Sequence, residues 1–186
     1  MSGLSLFKHQ EALMSAVKQS YLSGSQAVLM ILPTGGGKTA IAAKIAQLAH
    51  AKGKRILFLA HRRELILQIS RMLTVFGIGH GVILPDTFET KHSVQVASIA
   101  TLARRLYPGK YQFDLIIIDE AHHAVNGSGL GAIIEAFPKA KLLGVTATPC
   151  RLDGRGLGKD AAGYFDALVE GPSVLELIEA GYLARP

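Results

Sequence analysis

The apolar run Ala27–Leu32 leads directly into Pro33-Thr34-Gly35-Gly36-Gly37-Lys38-Thr39, and an Ala-rich helical pattern follows over Lys38–Lys52. A buried strand, a glycine-rich turn and a helix in that order leave few folds open. Glycines let the backbone curl so that successive N–H groups face one anion, and the helix N-terminus adds partial positive charge. In this pattern Lys38 reaches the outer phosphates of a nucleotide and the Thr39 hydroxyl ligates Mg²⁺. Residues Pro33, Thr34, Gly35, Gly36, Gly37, Lys38 and Thr39 are therefore the candidate phosphate-binding set. The general pattern G-x-x-x-x-G-K-[ST] is broken only at its first position, where Leu32 stands. Such a loop identifies nucleotide binding but not the reaction, since kinases, GTPases and motors share it.

The run Leu115-Ile116-Ile117-Ile118-Asp119-Glu120-Ala121-His122 narrows the reaction. Four aliphatic residues predict a buried strand, and two carboxylates appear where it emerges. In open α/β sheets ligands bind at that carboxyl edge. Asp119 is placed to hold Mg²⁺, and Glu120 to polarise the water that attacks a terminal phosphate. The pair favours ATP hydrolysis over phosphate transfer to a substrate hydroxyl. Adjacent His122 and His123 point in different directions with no third ligand in view, so they do not predict a metal site.

The remaining chain supports an α/β class. Runs Ala27–Leu32, Arg55–Ala60, Gly81–Leu84, Val94–Ser98, Leu115–Asp119 and Leu142–Thr146 lack polar alternation, as strands buried on both faces do. Helical patterns at Phe7–Leu22, Lys38–Lys52 and Arg62–Phe76 separate them, each followed by a glycine suited to ending a helix. This alternation predicts a mostly parallel sheet with helices on both faces. The 186 residues fit one domain, and 49% of them are hydrophobic. A net charge of +6 and a pI near 9.6 suit a nucleic-acid partner. That charge is also ordinary for a soluble domain, so placement of the basic residues must decide. One cysteine, Cys150, excludes a disulfide framework and a cysteine-based zinc site. No apolar run approaches the roughly 20 residues that span a bilayer, and no secretory pattern opens the chain, so a cytoplasmic protein is expected. Near the C-terminus, Ser173 predicts the cap of a short helix over Val174–Ala180. Tyr182-Leu183-Ala184 then reads as the opening of an extended segment, as in a linker to a further domain.

These residues together resemble superfamily 2 helicases and translocases of the DEAH type, with a first RecA-like, P-loop NTPase domain spanning 1–186. Asp119-Glu120-Ala121-His122 matches the name-giving motif letter for letter. The resemblance gives Leu6-Phe7-Lys8-His9-Gln10 as the adenine-sensing element, with Gln10 reading the base. It gives Ala60-His61-Arg62-Arg63-Glu64-Leu65 and Ser98-Ile99-Ala100-Thr101-Leu102 as nucleic-acid contact motifs, through Arg63, Ser98 and Thr101. Thr146-Ala147-Thr148-Pro149 matches the motif that links the ATP site to movement, with the Thr146 and Thr148 hydroxyls bonding the acidic strand end through His122. The stretch Gly144–Arg151 with Leu152–Gly156 is most similar to the restriction-enzyme-like, phage and bacterial branch. DNA in preference to RNA is the partner implied.

Members of this family carry a second RecA-like domain with arginine fingers, and nothing after Pro149 resembles it. An arginine finger contributes about 10³–10⁵ in rate, so the resemblance implies that this chain alone turns ATP over very slowly. Two other readings stay open: a double-strand translocase or restriction motor that never separates strands, and a non-catalytic nucleotide-binding switch.

Overall fold

The structure is a computed structural model that describes residues 5–87, 91–106, 111–123, 129–148, 157–158 and 163–185. Pro149, Cys150 and the 151–156 stretch lie outside the described residues, as does the side chain of His123. The first six strands are β1 (Ala27–Ile31), β2 (Ile56–Ala60), β3 (Gly81–Ile83), β4 (Val94–Ser98), β5 (Leu115–Asp119) and β6 (Lys141–Thr146). They fall where the aliphatic runs predict, to within a residue at either end. A seventh, β7 (Ala167–Glu170), has no counterpart in the sequence reading. All seven pair in parallel in the order β3-β4-β2-β5-β6-β1-β7.

Parallel pairing requires helical crossovers on both faces, and the burial pattern records them. Every residue of β1, β2 and β4 is buried. Alternate side chains go to two separate cores. Val28, Met30 and Phe58 pack against Leu13 and Val17 of α1 (Lys8–Leu22), Ile41 of α2 (Lys38–His50) and Ile66 of α3 (Arg63–Val75). Leu29, Ile31, Leu57 and Leu59 pack on the opposite face against Leu102 of α4 (Ile99–Arg104) and Leu130 and Ile133 of α5 (Leu130–Ala136). Each such aliphatic side chain contributes roughly 1.5–3 kcal/mol by leaving water, so polar alternation has no place in these strands.

Helix ends follow local chemistry. Gly24, Gly77 and Gly181 have φ of +106°, +69° and +76° just after α1, α3 and α6 (Val174–Glu179). After α6, Gly181 N–H bonds Ile178 C=O and Tyr182 N–H bonds Leu177 C=O, the paired closure known as a Schellman motif. Ser173 caps α6 as the sequence predicts, with Glu176 reaching back to the Ser173 N–H at 2.7 Å. The extended segment expected at Tyr182–Ala184 is not a strand. The Schellman turn folds those residues back over the body of the domain instead.

At Gly144 in β6, a Cβ would run into the Phe165 ring and Leu29. We expect Gly144→Ala to cost about 1–3 kcal/mol through overpacking. Thermal unfolding should show a midpoint lower by roughly 2–4 °C per kcal/mol for a domain of this size.

Candidate functional site

Strand order decides which sequence motifs can meet. β5, β6 and β1 are neighbours in register, with Asp119 opposite Val145 and Thr146 opposite Ile31. Because the three run the same way, their carboxyl ends open at one edge. The acidic pair, the Thr146 motif and the phosphate loop are thereby set side by side, although the chain spaces them widely.

The loop between β1 and α2 is held from three directions. Gly35 and Gly37 have φ of +83° and +93°, a region that side chains resist. Each glycine also faces a different wall. A Cβ on Gly35 would lie 2.8 Å from the Leu183 side chain, and one on Gly36 would lie 2.7 Å from Leu32. One on Gly37 would run into the Gln10 amide. Leu32, the departure from the general pattern, is fully buried and forms that second wall. Gly37 is the N-cap of α2 and no side chain caps the first turn, so the leading N–H groups of α2 stay available to an anion. Lys38 Nζ donates to Leu32 C=O at 3.2 Å, folding the lysine back onto the start of its own loop.

Gln10 is buried and ties the N-terminus to this loop. Its Nε2 donates to Gly36 C=O at 3.0 Å, and its Oε1 accepts from Phe7 N–H at 3.0 Å. One hydrogen and one lone pair of the amide remain for a base. His9 joins the same carbonyl, with Nε2 3.3 Å from Gly36 O. Sequence reasoning gave His9 no role. Its place beside Gln10 at the start of α1 was the available signal, but nothing local reveals the loop carbonyl it meets.

At the acidic end, burial and then neighbouring Glu120 push the Asp119 carboxyl up to about 6, against the pull of the Glu120 backbone N–H and Lys38. Glu120 itself has φ of +50°, the one non-glycine residue with positive φ among the described residues. Such backbone strain costs on the order of 1–3 kcal/mol and clusters at functional sites. His122 Nδ1 lies 3.2 Å from Glu120 Oε2 and 3.0 Å from Thr146 Oγ1. A carboxylate can only accept, so the Nδ1 hydrogen is shared between these oxygens. Thr146 Oγ1, fully buried, also accepts from Thr148 N–H at 3.2 Å. His122 thus lies between the ends of β5 and β6, and Thr148 enters through its backbone. Two crowded carboxylates beside Lys38 suit a hard divalent cation, and the Thr39 hydroxyl and Asp119 offer oxygen donors for one.

The contact-motif residues sit apart from this cluster. Arg63 pairs with Asp86 at 3.0 Å on an exposed surface. Ser98 and Thr101 are buried, and the Ser98 hydroxyl accepts from Thr101 N–H at the start of α4. In this structure Ser98 is a helix cap.

Asp119 binds more protons folded than unfolded between its unfolded value near 4 and about 6. Its ionisation therefore costs stability progressively as pH rises across that window, and fully above it. Asp119→Asn should stabilise the nucleotide-free chain at pH 7.5 by up to about 3 kcal/mol. The gap should close toward pH 4 in denaturant titrations.

Comparison with known proteins places this geometry in context. The family profile of the type III restriction enzyme res subunit matches residues 3–151. A 51.5 kDa protein of a Lactococcus phage (isolate 7-9) is 37% identical over 152 residues, covering 82% of this chain and 30% of its own. IRC3 of Saccharomyces cerevisiae, whose name gives it provisionally as an ATP-dependent helicase, is 34% identical over 197 aligned positions, covering 95% of this chain and 28% of its own. The chain thus spans under a third of the length of these two relatives. The crystal structure of the UvsW helicase from bacteriophage T4 superposes with a TM-score of 0.73 at 18% identity, covering 91% of this chain and 62% of that one. At that identity it speaks to the fold alone.

Proposed function

The chain belongs to the type III restriction enzyme res subunit family, and on that footing we propose that its loop and acidic strand end form one half of an ATP-hydrolysing site. It is a RecA-like motor domain of the ATP-dependent helicase and translocase class. What the whole protein unwinds or moves along is part of the proposal. The observation that carries the reading is the β5-β6-β1 register, which brings Lys38, Asp119, Glu120 and Thr146 to neighbouring strand ends.

Triphosphate oxygens would take the free N–H groups at the start of α2. Lys38 would exchange Leu32 C=O for the outer phosphates, an inexpensive move because a weak neutral acceptor gives way to a charged one. Thr39 and Asp119 would hold Mg²⁺, which when bound neutralises charge on the phosphates. Glu120 would orient and deprotonate the attacking water. His122 shares its Nδ1 hydrogen between Glu120 and Thr146, so a change at the carboxylate is felt at the end of β6. Gln10 would read adenine with the remaining half of its amide, while the other half stays on Gly36. No helix among the described residues is long and apolar enough to cross a membrane.

A second RecA-like domain in the parent protein would supply the arginine finger. The reading then has two tests. In the parent protein, Glu120→Gln should lower kcat by about 10²–10⁴ with nucleotide still bound, whereas Lys38→Ala should lose binding itself. Alone, the 186-residue chain should turn ATP over at least about 10³ more slowly than the parent. Brisk turnover by the chain alone, abolished by Lys38→Ala, would contradict the assignment of half a site.

Nucleic acid, DNA in preference to RNA, would meet the surface at the ends of β2 and β4. Arg63 is exposed there and its ion pair with Asp86 is solvent-screened, so a backbone phosphate can displace it. Arg63→Ala should weaken DNA binding evenly across sequences. It should also flatten the slope of log affinity against log salt by about 0.9, measured by anisotropy at several salt concentrations.

A further inference from the structure

We propose that the segment after α6, Tyr182-Leu183, senses nucleotide in the phosphate loop, with His9 as the positioning residue that connects the two. The inference rests on the loop being the nucleotide site. It goes further in assigning a route out of that site that runs through neither the acidic strand end nor Thr146.

Two independent contacts join the segment to the loop. Leu183 lies against the bare Cα of Gly35, where any Cβ would sit 2.8 Å from its methyl group. Tyr182 packs its ring on His9 with centroids 4.5 Å apart, and Phe7 closes the cluster at 5.0 Å from Tyr182. The other side of His9 meets the loop, where Nε2 approaches Gly36 C=O. A carbonyl only accepts, so Nε2 carries the ring hydrogen. Nδ1 is buried with no hydrogen-bond partner among the described residues. The orientation of this ring is therefore set by one hydrogen bond to the loop and by its aromatic neighbours.

Gly36 C=O accepts from both Gln10 and His9, filling its two lone pairs. Any shift of Gly36 as phosphates seat must move or break the His9 bond, and the ring then moves against Tyr182. The segment cannot absorb this alone. Tyr182 N–H and Leu183 N–H both bond Leu177 C=O, at 2.8 and 3.1 Å, and Leu177 is the buried residue of α6. A displacement at the loop is thus carried to the end of α6 through atoms in contact. By linkage, a chain whose segment is loosened must change its nucleotide affinity by the same factor that nucleotide changes the segment.

The chain contains no tryptophan, so Tyr182→Trp gives a single indole, excited selectively over the tyrosines, at the contact. Titrating Mg-ADP and a non-hydrolysable ATP analogue into this variant should change its emission with the same midpoint as calorimetric binding. In the unsubstituted chain, hydrogen exchange at the Tyr182 and Leu183 amides should slow by about tenfold at saturating nucleotide. His9→Phe, which keeps an aromatic ring but loses the bond to Gly36, should abolish both responses at saturating nucleotide. His9→Gln, which keeps a donor, should restore part of the exchange response. An unchanged signal in His9→Phe would reduce His9 to packing and overturn the proposal. So would silence at Tyr182 and Leu183 while calorimetry records binding. Failure of calorimetric binding in the unsubstituted chain would instead remove the nucleotide-site reading itself, and this inference with it.

Discussion

Parallel pairing of β5, β6 and β1 is the constraint on which the rest of the domain depends. Three aliphatic strands running the same way need crossovers on both faces, and those crossovers bury the central strands from two sides. The same pairing delivers every carboxyl end to one edge. A phosphate loop, a carboxylate pair and a threonine that are remote in sequence then become neighbours, and His122 bridges strand ends that the ladder has already aligned. The stability of the sheet and the geometry of the site are consequences of one hydrogen-bonded ladder.

What that edge collects is electrostatically uncomfortable. Asp119 is half-buried beside Glu120, with Lys38 as an opposing charge, and Glu120 is held in a left-handed backbone conformation. Neither feature improves the resting fold. Both make sense as a site whose charges are balanced only when a cation and phosphates arrive, a usual compromise between stability and activity. The resting loop is meanwhile internally braced. Lys38 bonds Leu32, and Gln10 and His9 bond Gly36, so the loop is held in place while the leading N–H groups of α2 stay open.

Much of this was legible in the sequence where residue type and local order carry the physics. The buried runs gave β1, β2, β4 and β5 because a two-sided core excludes polar alternation. The loop was readable because glycine, lysine and a hydroxyl residue each do something few other residues can do there. Other elements left weaker marks. β7 is a four-residue edge strand with Leu168 exposed, so it lacks the continuous apolar run of its neighbours. α4 and α5 span six and seven residues, too short for a helical period to declare itself. That the Ser98 hydroxyl caps α4 emerges only in the fold. Sequence order also says nothing of walls. That Leu183 backs Gly35, or that His9 shares a carbonyl with Gln10, follows from tertiary packing alone.

The three walls around the loop give its glycines a second kind of constraint. Gly35, Gly36 and Gly37 are hemmed in by Leu183, Leu32 and Gln10 respectively, and none of those contacts involves a phosphate. Mutational tolerance at the loop is therefore epistatic with positions far along the chain. A change at Leu183 or Gln10 alters which loop sequences the domain can accept, even where the ligand sees the same N–H groups. In a drifting lineage, loop letters and wall letters should change together or not at all.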